Sequence, residues 1–408
     1  MKIAVVEFAG RGGLIHYDYQ LCRAFADAGV DTALITDRRY ELDALPHPFT
    51  LTKLLDLWDP KPAQQRRAAT SELYRKLRRV VRAVRYYAAW WQLVRHLRRE
   101  RPDIVQFGDI RFAADLLFLY LLKLTGLRLV NICHNVAPLA FGGHAAGTFR
   151  QGAATRFIYR HIYRCFDRIF THEDINRGRF IEFYDIDPLR VAAIPHGNEL
   201  IFEELRDPAV SEQTLRQRLG LGANDKVILL LGSLAEYKGI DILIRAFGRI
   251  HRQQPAARLY IVGFPISGFD VAAHQALIES QGIAAVTRIL PVYVPAGEIA
   301  AWMRLAAIAV FPYRDISQSG ALLLAQTFGV PTIAARVGSM EKVVRDGTTG
   351  LLINPGDDAA LADALLKLLR DPEGARLLGE NAAKQSTEDY DWANVARSLI
   401  DTYSGLIT

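Results

Sequence analysis

The sequence predicts two doubly wound α/β domains joined by a polar linker. Its 408 residues exceed what one ordinary hydrophobic core holds. Short runs rich in β-branched residues alternate with amphipathic segments, which is typical of βαβ units around a parallel sheet. The alternation occurs in two series, separated by a polar interval without a long apolar period. We therefore predict domains at 1–196 and 226–388, a linker at 197–225, and a last segment at 389–408.

The elements follow in order along each series. The strands predicted for the first domain are Ile3–Phe8, Thr32–Thr36, Ile104–Phe107, Leu127–Ile132, Arg168–Thr171 and Val191–Pro195, with an amphipathic helix at Tyr17–Ala28. Those predicted for the second domain are Val227–Gly232, Leu259–Gly263, Arg288–Leu290, Ile308–Phe311, Thr332–Ala334 and Gly350–Ile353, with helices at Gly239–Gln253, Pro295–Ala306 and Asp358–Leu369. A further amphipathic helix is predicted from Trp392 onward.

Composition indicates a soluble globular protein, with half the residues hydrophobic and 23% charged. Three distant cysteines suggest neither a zinc site nor a disulfide framework, and they fit a reducing cytoplasm. The apolar run at the N-terminus is too short for an export signal, and the block Leu116–Leu122 is too short to span a membrane. We expect a cytoplasmic protein whose membrane contact, if any, is peripheral. The net charge of +6 favours a polyanionic partner.

The basic segment "RKLRRVVRAVRYYAAWWQLVRHLRRERPD" predicts a long amphipathic helix at 73–99. One apolar stripe runs along it, formed by Leu73, Leu77, Val80, Val84, Tyr87, Trp91 and Val94. The other faces carry Arg75, Lys76, Arg78, Arg79, Arg82 and Arg85. We expect the stripe to pack on the first sheet, and the basic face is as compatible with an anionic membrane, with Trp90 and Trp91 at headgroup depth. Nucleic acid is not expected, because aromatic rings buried with the stripe cannot stack on bases.

Two glycine-bearing turns are candidates for holding phosphate. In "EFAGRGGLIHYDYQLCRAF", Gly10, Gly12 and Gly13 lie between a strand and a helix, although a plain tight turn explains them too. In "FPYRDISQSGALLLAQTFGVP", the residues Ser317, Gln318, Ser319 and Gly320 begin a helix at the carboxyl side of a strand. Their N–H groups and the helix dipole suit a diphosphate, while ordinary capping by Ser317 or Ser319 is the plainer interpretation.

Four further residues lie where strands end. Lys238, in "LLLGSLAEYKGIDILIRAF", precedes a helix and can place its ammonium beside a phosphate. Glu341, in "VGSMEKVV", is either a site residue or a first-turn acid favoured by the helix dipole. His134 in "CHN" and His172 in "THED" each follow a strand of the first domain, where a structural histidine is the commoner case.

These motifs, in this order, resemble the retaining GT-B glycosyltransferases of family 4. "GSLAEYKGIDILIRAF", "SQSGALLLAQTFGVPTIA" and "VGSMEKVVRDGTTGLLI" resemble the donor half, and "CHN", "THED" and "IPHGNE" the acceptor half. The resemblance implies two Rossmann-like domains facing across a cleft, with the C-terminal helix crossing back to the first domain. It implies transfer of a sugar from a nucleoside-diphosphate donor, without metal or other cofactor, to a glycan or lipid-linked acceptor.

The resemblance also assigns roles to residues. The catalytic set it implies is His134, Lys238 and Gln318, with His134 near the transferred sugar. The donor-binding set is Gly12, Gly13, Ser233, Lys238, Ser317, Gln318, Ser319, Gly320, Ala321 and Glu341. The acceptor side comprises His16, Asn135 and His172.

The chain departs from the family pattern at the acidic pair. The usual Glu-x7-Glu acids align with Ile316 and Leu324, and a usual arginine aligns with Ser233. Two hypotheses follow: a hexosyltransferase of polysaccharide biosynthesis at the inner membrane face, or a catalytically silent GT-B protein that binds a nucleotide sugar or a partner enzyme.

Overall fold

The computed structural model describes residues 1–57, 72–108, 110, 112–136, 153–266 and 268–407. Within the helices, the side chains at 72–76, 78, 153 and 154 lie outside that description. The predicted stripe residue Leu73 and the basic residues Arg75, Lys76 and Arg78 are therefore not described as side chains.

The first domain is built on a seven-stranded parallel sheet. Its strands are β1 Lys2–Val6, β2 Asp31–Asp37, β3 Thr50–Leu55, β4 Ile104–Phe107, β5 Arg128–Cys133, β6 Arg168–His172 and β7 Val191–Ile194. Its helices are α1 Gly13–Asp27, α2 Glu72–Glu100, α3 Asp115–Lys123, α4 Ala153–Arg164 and α5 Asp174–Tyr184. The strand order β3-β2-β1-β4-β5-β6-β7 makes β5, β6 and β7 neighbours, so that their carboxyl ends meet.

The second domain repeats the plan with six parallel strands. Helices α6 Ile201–Glu204 and α7 Glu212–Arg218 come first, in the predicted linker. The strands are β8 Lys226–Leu231, β9 Ala257–Val262, β10 Thr287–Leu290, β11 Ala306–Phe311, β12 Thr332–Ala335 and β13 Leu351–Ile353, in the order β10-β9-β8-β11-β12-β13. The helices are α8 Ile240–Ile250, α9 Val271–Ser280, α10 Ala296–Leu305, α11 Gly320–Thr327, α12 Met340–Val343, α13 Asp358–Arg370 and α14 Pro372–Asp389. The protein thus has the predicted architecture of two doubly wound α/β domains.

The last helix, α15 Trp392–Ile407, packs against α1 of the first domain. The Trp392 indole N–H donates to Gln20 Oε1 at 3.1 Å and to the Asn198 carbonyl at 2.9 Å. The hydroxyl of Tyr403, which is fully buried, donates to Gln106 Oε1 on β4 at 2.7 Å. Helix α15 therefore follows the second domain in the chain but packs on the first.

The sequence analysis missed strand β3, at the edge of the first sheet. Three of its six side chains are half-buried, two are exposed and only that of Leu55 is buried, because an edge strand packs against one neighbour. The segment TLTKLL therefore lacks the continuous apolar character by which the buried strands were found.

The predicted packing of the α2 stripe is wrong. Leu77, Val80, Val84, Tyr87 and Trp91 are 40–62% exposed, and of the described stripe residues only Val94 is buried. The helix instead buries the neighbouring face formed by Ala89, Trp90, Leu93, Val94 and Leu97. These residues have helical spacing as well, so periodicity alone could not choose between two faces.

The corrected orientation changes two arguments made from the sequence. Trp90 lies in the core, where its ring stacks on Phe118 at 5.2 Å between centroids, so it cannot reach a membrane surface. Tyr87 and Trp91 are exposed, so burial of aromatic rings is no reason to exclude nucleic acid.

Candidate active site

Lys238 and the start of α11 meet at the carboxyl edge of the second sheet. Strand β8 ends at Leu231, and Gly232 follows it with φ +134°. A Cβ added to Gly232 would lie 2.8 Å from Lys238 Nζ and 3.9 Å from the Ala321 Cβ. Because Gly232 has no side chain, a space stays open between the Lys238 ammonium and the first turn of α11, and we call this space the corner.

The Lys238 ammonium is a buried cation. The residue is 5% exposed, and Nζ lies 5.1 Å from the centroid of the Tyr313 ring. Burial lowers the pKa of Lys238 because desolvation disfavours the charged form. In the part of the chain that the structure describes, no carboxylate lies within ion-pair distance of Nζ. A buried ammonium without a counter-ion is suited to receive an anion.

The first turn of α11 offers backbone donors at the same corner. Ser319 is the N-cap, and its Oγ accepts from the N–H of Leu322 at 3.2 Å. Among the described residues, the N–H groups of Gly320 and Ala321 have no acceptor. The capping interpretation thus holds for Ser319, while the next two amides remain free for an anion at the positive end of the helix dipole.

The loop before α11 contacts the first domain. The Ser317 carbonyl accepts from Asn176 Nδ2 at 2.8 Å, and Ser317 Oγ accepts from the Val136 N–H at 3.3 Å. Gln318 points the other way, where its Oε1 accepts from the Ser339 hydroxyl. This loop therefore joins the edges of the two sheets.

Three buried histidines converge at the carboxyl edge of the first sheet. His134 follows β5, His172 ends β6 and His196 follows β7, and these strands are neighbours. His172 Nε2 lies 3.0 Å from His134 Nδ1, and one ring nitrogen of each histidine lies within 4.8 Å of the others. The Tyr17 ring meets all three edge-on, at centroid distances of 4.6 to 5.6 Å.

Burial keeps these imidazoles neutral. Desolvation lowers the pKa of His134 to about 3 and that of His196 to about 4, and it holds the pKa of His172 well below its usual value. Neutral imidazoles can exchange hydrogen bonds with hydroxyl groups, and they are also the form that binds transition metals. Within the described chain, this is the group of histidine and acidic side chains whose spacing fits a metal ion.

In the glycine loop of the first domain, residues 10–13, one backbone amide already has a hydrogen-bond acceptor. The N–H of Gly12 donates to Glu41 Oε1 at 2.6 Å, and His16 Nε2 lies 3.1 Å from the same oxygen. The Gly12 amide is therefore engaged by Glu41 in this structure, and a contact of Gly12 with the donor stays a prediction. A Cβ added to Gly13 would meet open space.

Glu199 is a candidate that the sequence analysis did not single out. It is buried, and its Oε1 would lie 3.3 Å from a Cβ added to Gly320. Desolvation raises the pKa of Glu199 to about 8, against a smaller effect of its hydrogen bond with Gln20. The only sequence signal was its place in "IPHGNE", directly after a strand end.

The other predicted site residues are more peripheral. Ser233 is exposed, Asn135 is half-buried, and Glu341 is mostly exposed with its carboxylate 3.3 Å from Arg336. Ile316 and Leu324, at the positions of the family's acids, are buried in the core. No carboxylate therefore stands at either position.

The two sheets thus face each other with a buried ammonium and helix-start amides on one edge and buried imidazoles on the other. This arrangement defines a two-domain transferase fold of the GT-B class. The chain belongs to the GT-B glycosyltransferases of family 4: the profile for Glycosyltransferase Family 4 matches residues 11–200, and that for glycosyl transferases group 1 matches residues 211–385.

Relatives and solved structures agree with this membership. A D-inositol 3-phosphate glycosyltransferase from Frankia alni is 30% identical over 285 residues, covering 68% of each chain. Two other relatives of that name match over 61 and 62% of their own length. Anabaena Alr3699/HepE in complex with UDP and glucose superposes with a TM-score of 0.74 at 17% identity, covering 99% of this chain and all of that one. Sucrose-phosphate synthase from Thermosynechococcus elongatus gives 0.70 at 19% identity, over 99% and 98%.

Proposed function

We propose that this glycosyltransferase moves a hexosyl group from a nucleoside-diphosphate sugar to a hydroxyl of a glycan or lipid-linked acceptor, with retention of configuration and without a metal. One observation carries the proposal. The buried Lys238 ammonium, without a carboxylate partner among the described residues, lies beside the free N–H groups of Gly320 and Ala321.

The donor diphosphate is expected to occupy that corner. Lys238 would neutralise it, and the α11 amides would donate to its oxygens, which stabilises the charge that develops as the diphosphate leaves. Ser317, Gln318 and Ser319 fix the loop that presents these amides. Ser233 and Glu341 lie at the rim and are proposed to contact the nucleoside.

Retention is supported by how poorly the buried groups would act as bases. An inverting transfer needs a side chain that removes the acceptor proton. His134 and His196, with pKa values of about 3 and 4, are weak bases, and Glu199, with a pKa of about 8, is mostly protonated at neutral pH. In a retaining transfer on one face of the sugar, the departing diphosphate oxygen can take that proton. His134 is then proposed to hydrogen-bond a sugar hydroxyl.

The acceptor is proposed to lie against the first domain, near His16, Asn135 and His172. The relatives' name makes an inositol phosphate one acceptor to include in an assay, beside glycans and lipid-linked sugars. We place the reaction in polysaccharide biosynthesis, in the cytoplasm or at the inner face of a membrane.

The test is a turnover assay with UDP, GDP and ADP sugars against a panel of acceptors, with and without EDTA. The proposal predicts one productive donor class, a product with the donor's anomeric configuration by NMR, and full activity in EDTA. Inversion would refute the retaining step, and loss of activity in EDTA would point to metal at the three histidines. A donor that binds without any turnover would support the catalytically silent alternative, which the apolar Ile316 and Leu324 favour.

A further inference from the structure

In the part of the chain that the structure describes, an apolar face without a partner lies on the outside of the first domain, across α2 and α3. We define the outer α2–α3 face by its exposed side chains, which are Val80, Val84, Tyr87, Trp91, Leu117 and Tyr120. Four of them line one apolar groove of about 640 Å³ between the helices. Exposed apolar side chains gathered in this way on one side of a domain mark an interaction surface.

The face is held rigidly by a buried polar anchor beneath it. The carboxylate of Asp115, the first residue of α3, accepts from the Tyr86 hydroxyl at 2.9 Å and from the Trp90 indole N–H at 3.0 Å, both on α2. It also accepts from the N–H of Phe112 at 3.0 Å. Because this carboxylate is buried, α2 and α3 are fixed to each other, and the apolar side chains above them form one platform.

The charges around the face are of one sign. Exposed Arg95 and Arg98 continue the spacing of the stripe beyond Trp91, whereas Arg79 and Arg82 lie on the other faces of α2. Among the described side chains of α2 and α3, the acidic residues are Glu100, at the end of α2, and the buried Asp115. The partner must therefore be both apolar and anionic.

We propose that the outer α2–α3 face is a docking surface for an anionic lipid bilayer, with the apolar side chains entering the interface and the arginines contacting headgroups. A second copy of the chain fits less well, because a two-fold contact would set these arginines against each other without acids to pair them. Nucleic acid fits less well because Val80, Val84 and Leu117 are aliphatic and cannot stack on bases. None of the described helices is long and apolar enough to cross a membrane, so contact here would be interfacial.

The test is co-sedimentation with vesicles, which needs no turnover and so stands apart from the proposed reaction. Vesicles of phosphatidylcholine alone are compared with an equal mixture of phosphatidylcholine and phosphatidylglycerol. We expect binding to the mixture, reduced at least tenfold by the triple change Val80→Ser, Val84→Ser and Trp91→Ser. Each of Arg95→Gln and Arg98→Gln should weaken it about fivefold.

Matched controls lie elsewhere on the surface. Leu189→Ser and Leu377→Ser also remove exposed apolar side chains, 79% and 53% exposed, and Arg252→Gln removes an exposed arginine; none should change binding. Absence of wild-type binding to the mixed vesicles, or full binding by the triple variant, would overturn the proposal. The proposal would also be overturned if wild type formed a dimer in sedimentation velocity, or bound single-stranded RNA, and the triple variant abolished that dimer or that binding.

Discussion

Replacing His196 by glutamine is expected to make the protein less sensitive to acid. The folded-state pKa of His196 is lowered to about 4 from 6.5, so acid protonates the unfolded chain first and lowers stability as the pH falls below 6.5. From pH 6.5 down to 5.0, a span of about 1.5 pH units, the imidazole of the unfolded chain is protonated while that of the folded chain stays neutral. At about 1.4 kcal/mol per unit, this contributes about 2 kcal/mol of lost stability.

The assay is urea unfolding of the ligand-free protein at pH 7.5 and pH 5.0. For each protein, the free energy of unfolding at pH 5.0 is subtracted from that at pH 7.5. This difference is unaffected by any packing defect of the variant that is equal at the two pH values. The variant should lose at least about 2 kcal/mol less than wild type, because removing His196 also relieves its effect on the pKa values of His134 and His172. Asn131→Ala, a buried change that removes no titrating group, serves as the control with unchanged pH dependence. An equal acid-induced loss in wild type and His196→Gln would refute the reasoning.

Three further predictions follow from single contacts. Glu199→Gln should gain about 4 kcal/mol of stability relative to wild type between pH 5 and pH 9. In this range the Glu199 carboxyl of the unfolded chain is ionised, above its usual pKa of 4.5, while the folded chain keeps it protonated up to a pKa of about 8. Urea unfolding at the two pH values checks this, and a constant difference would contradict it. Trp392→Ala should lower the free energy of unfolding by about 2–4 kcal/mol in the same assay, because a partly buried indole with two hydrogen bonds is lost. Trp392→Phe should lower it less. Gly232→Ala should raise the donor KM at least about tenfold. The added Cβ would lie 2.8 Å from Lys238 Nζ, and residue 232 has a positive φ that alanine adopts only with strain. The control Gly178→Ala, where the added Cβ meets open space, should leave the donor KM unchanged.

The sequence predicted the parallel sheets well because their strands are buried on both faces. Such strands are continuous apolar runs, as in Ile104–Phe107, and their order in the chain limits the possible topologies. The placement of histidines at strand ends also follows from the sequence. That three of them converge does not, since it requires β5, β6 and β7 to be adjacent.

Other features depend on contacts between distant parts of the chain. Glu199 and Gly320 are 121 positions apart, so neither the burial of that carboxyl group nor its raised pKa could be read from "IPHGNE". Gly12 was expected to face phosphate, but Glu41 from a later loop accepts from its N–H. On α2, two overlapping apolar faces compete, and packing on strand β3 and helix α3 together decides which one is buried.

The most direct measurement of the central claim is isothermal titration of wild type, Lys238→Met and the control Lys226→Met with nucleoside diphosphates and the matching nucleosides. A diphosphate held by Lys238 and the α11 amides should bind wild type and the control alike. It should lose about 100-fold or more in affinity in Lys238→Met, while the nucleoside is little affected. Equal diphosphate affinity in all three proteins would contradict the assignment of this corner as the donor site.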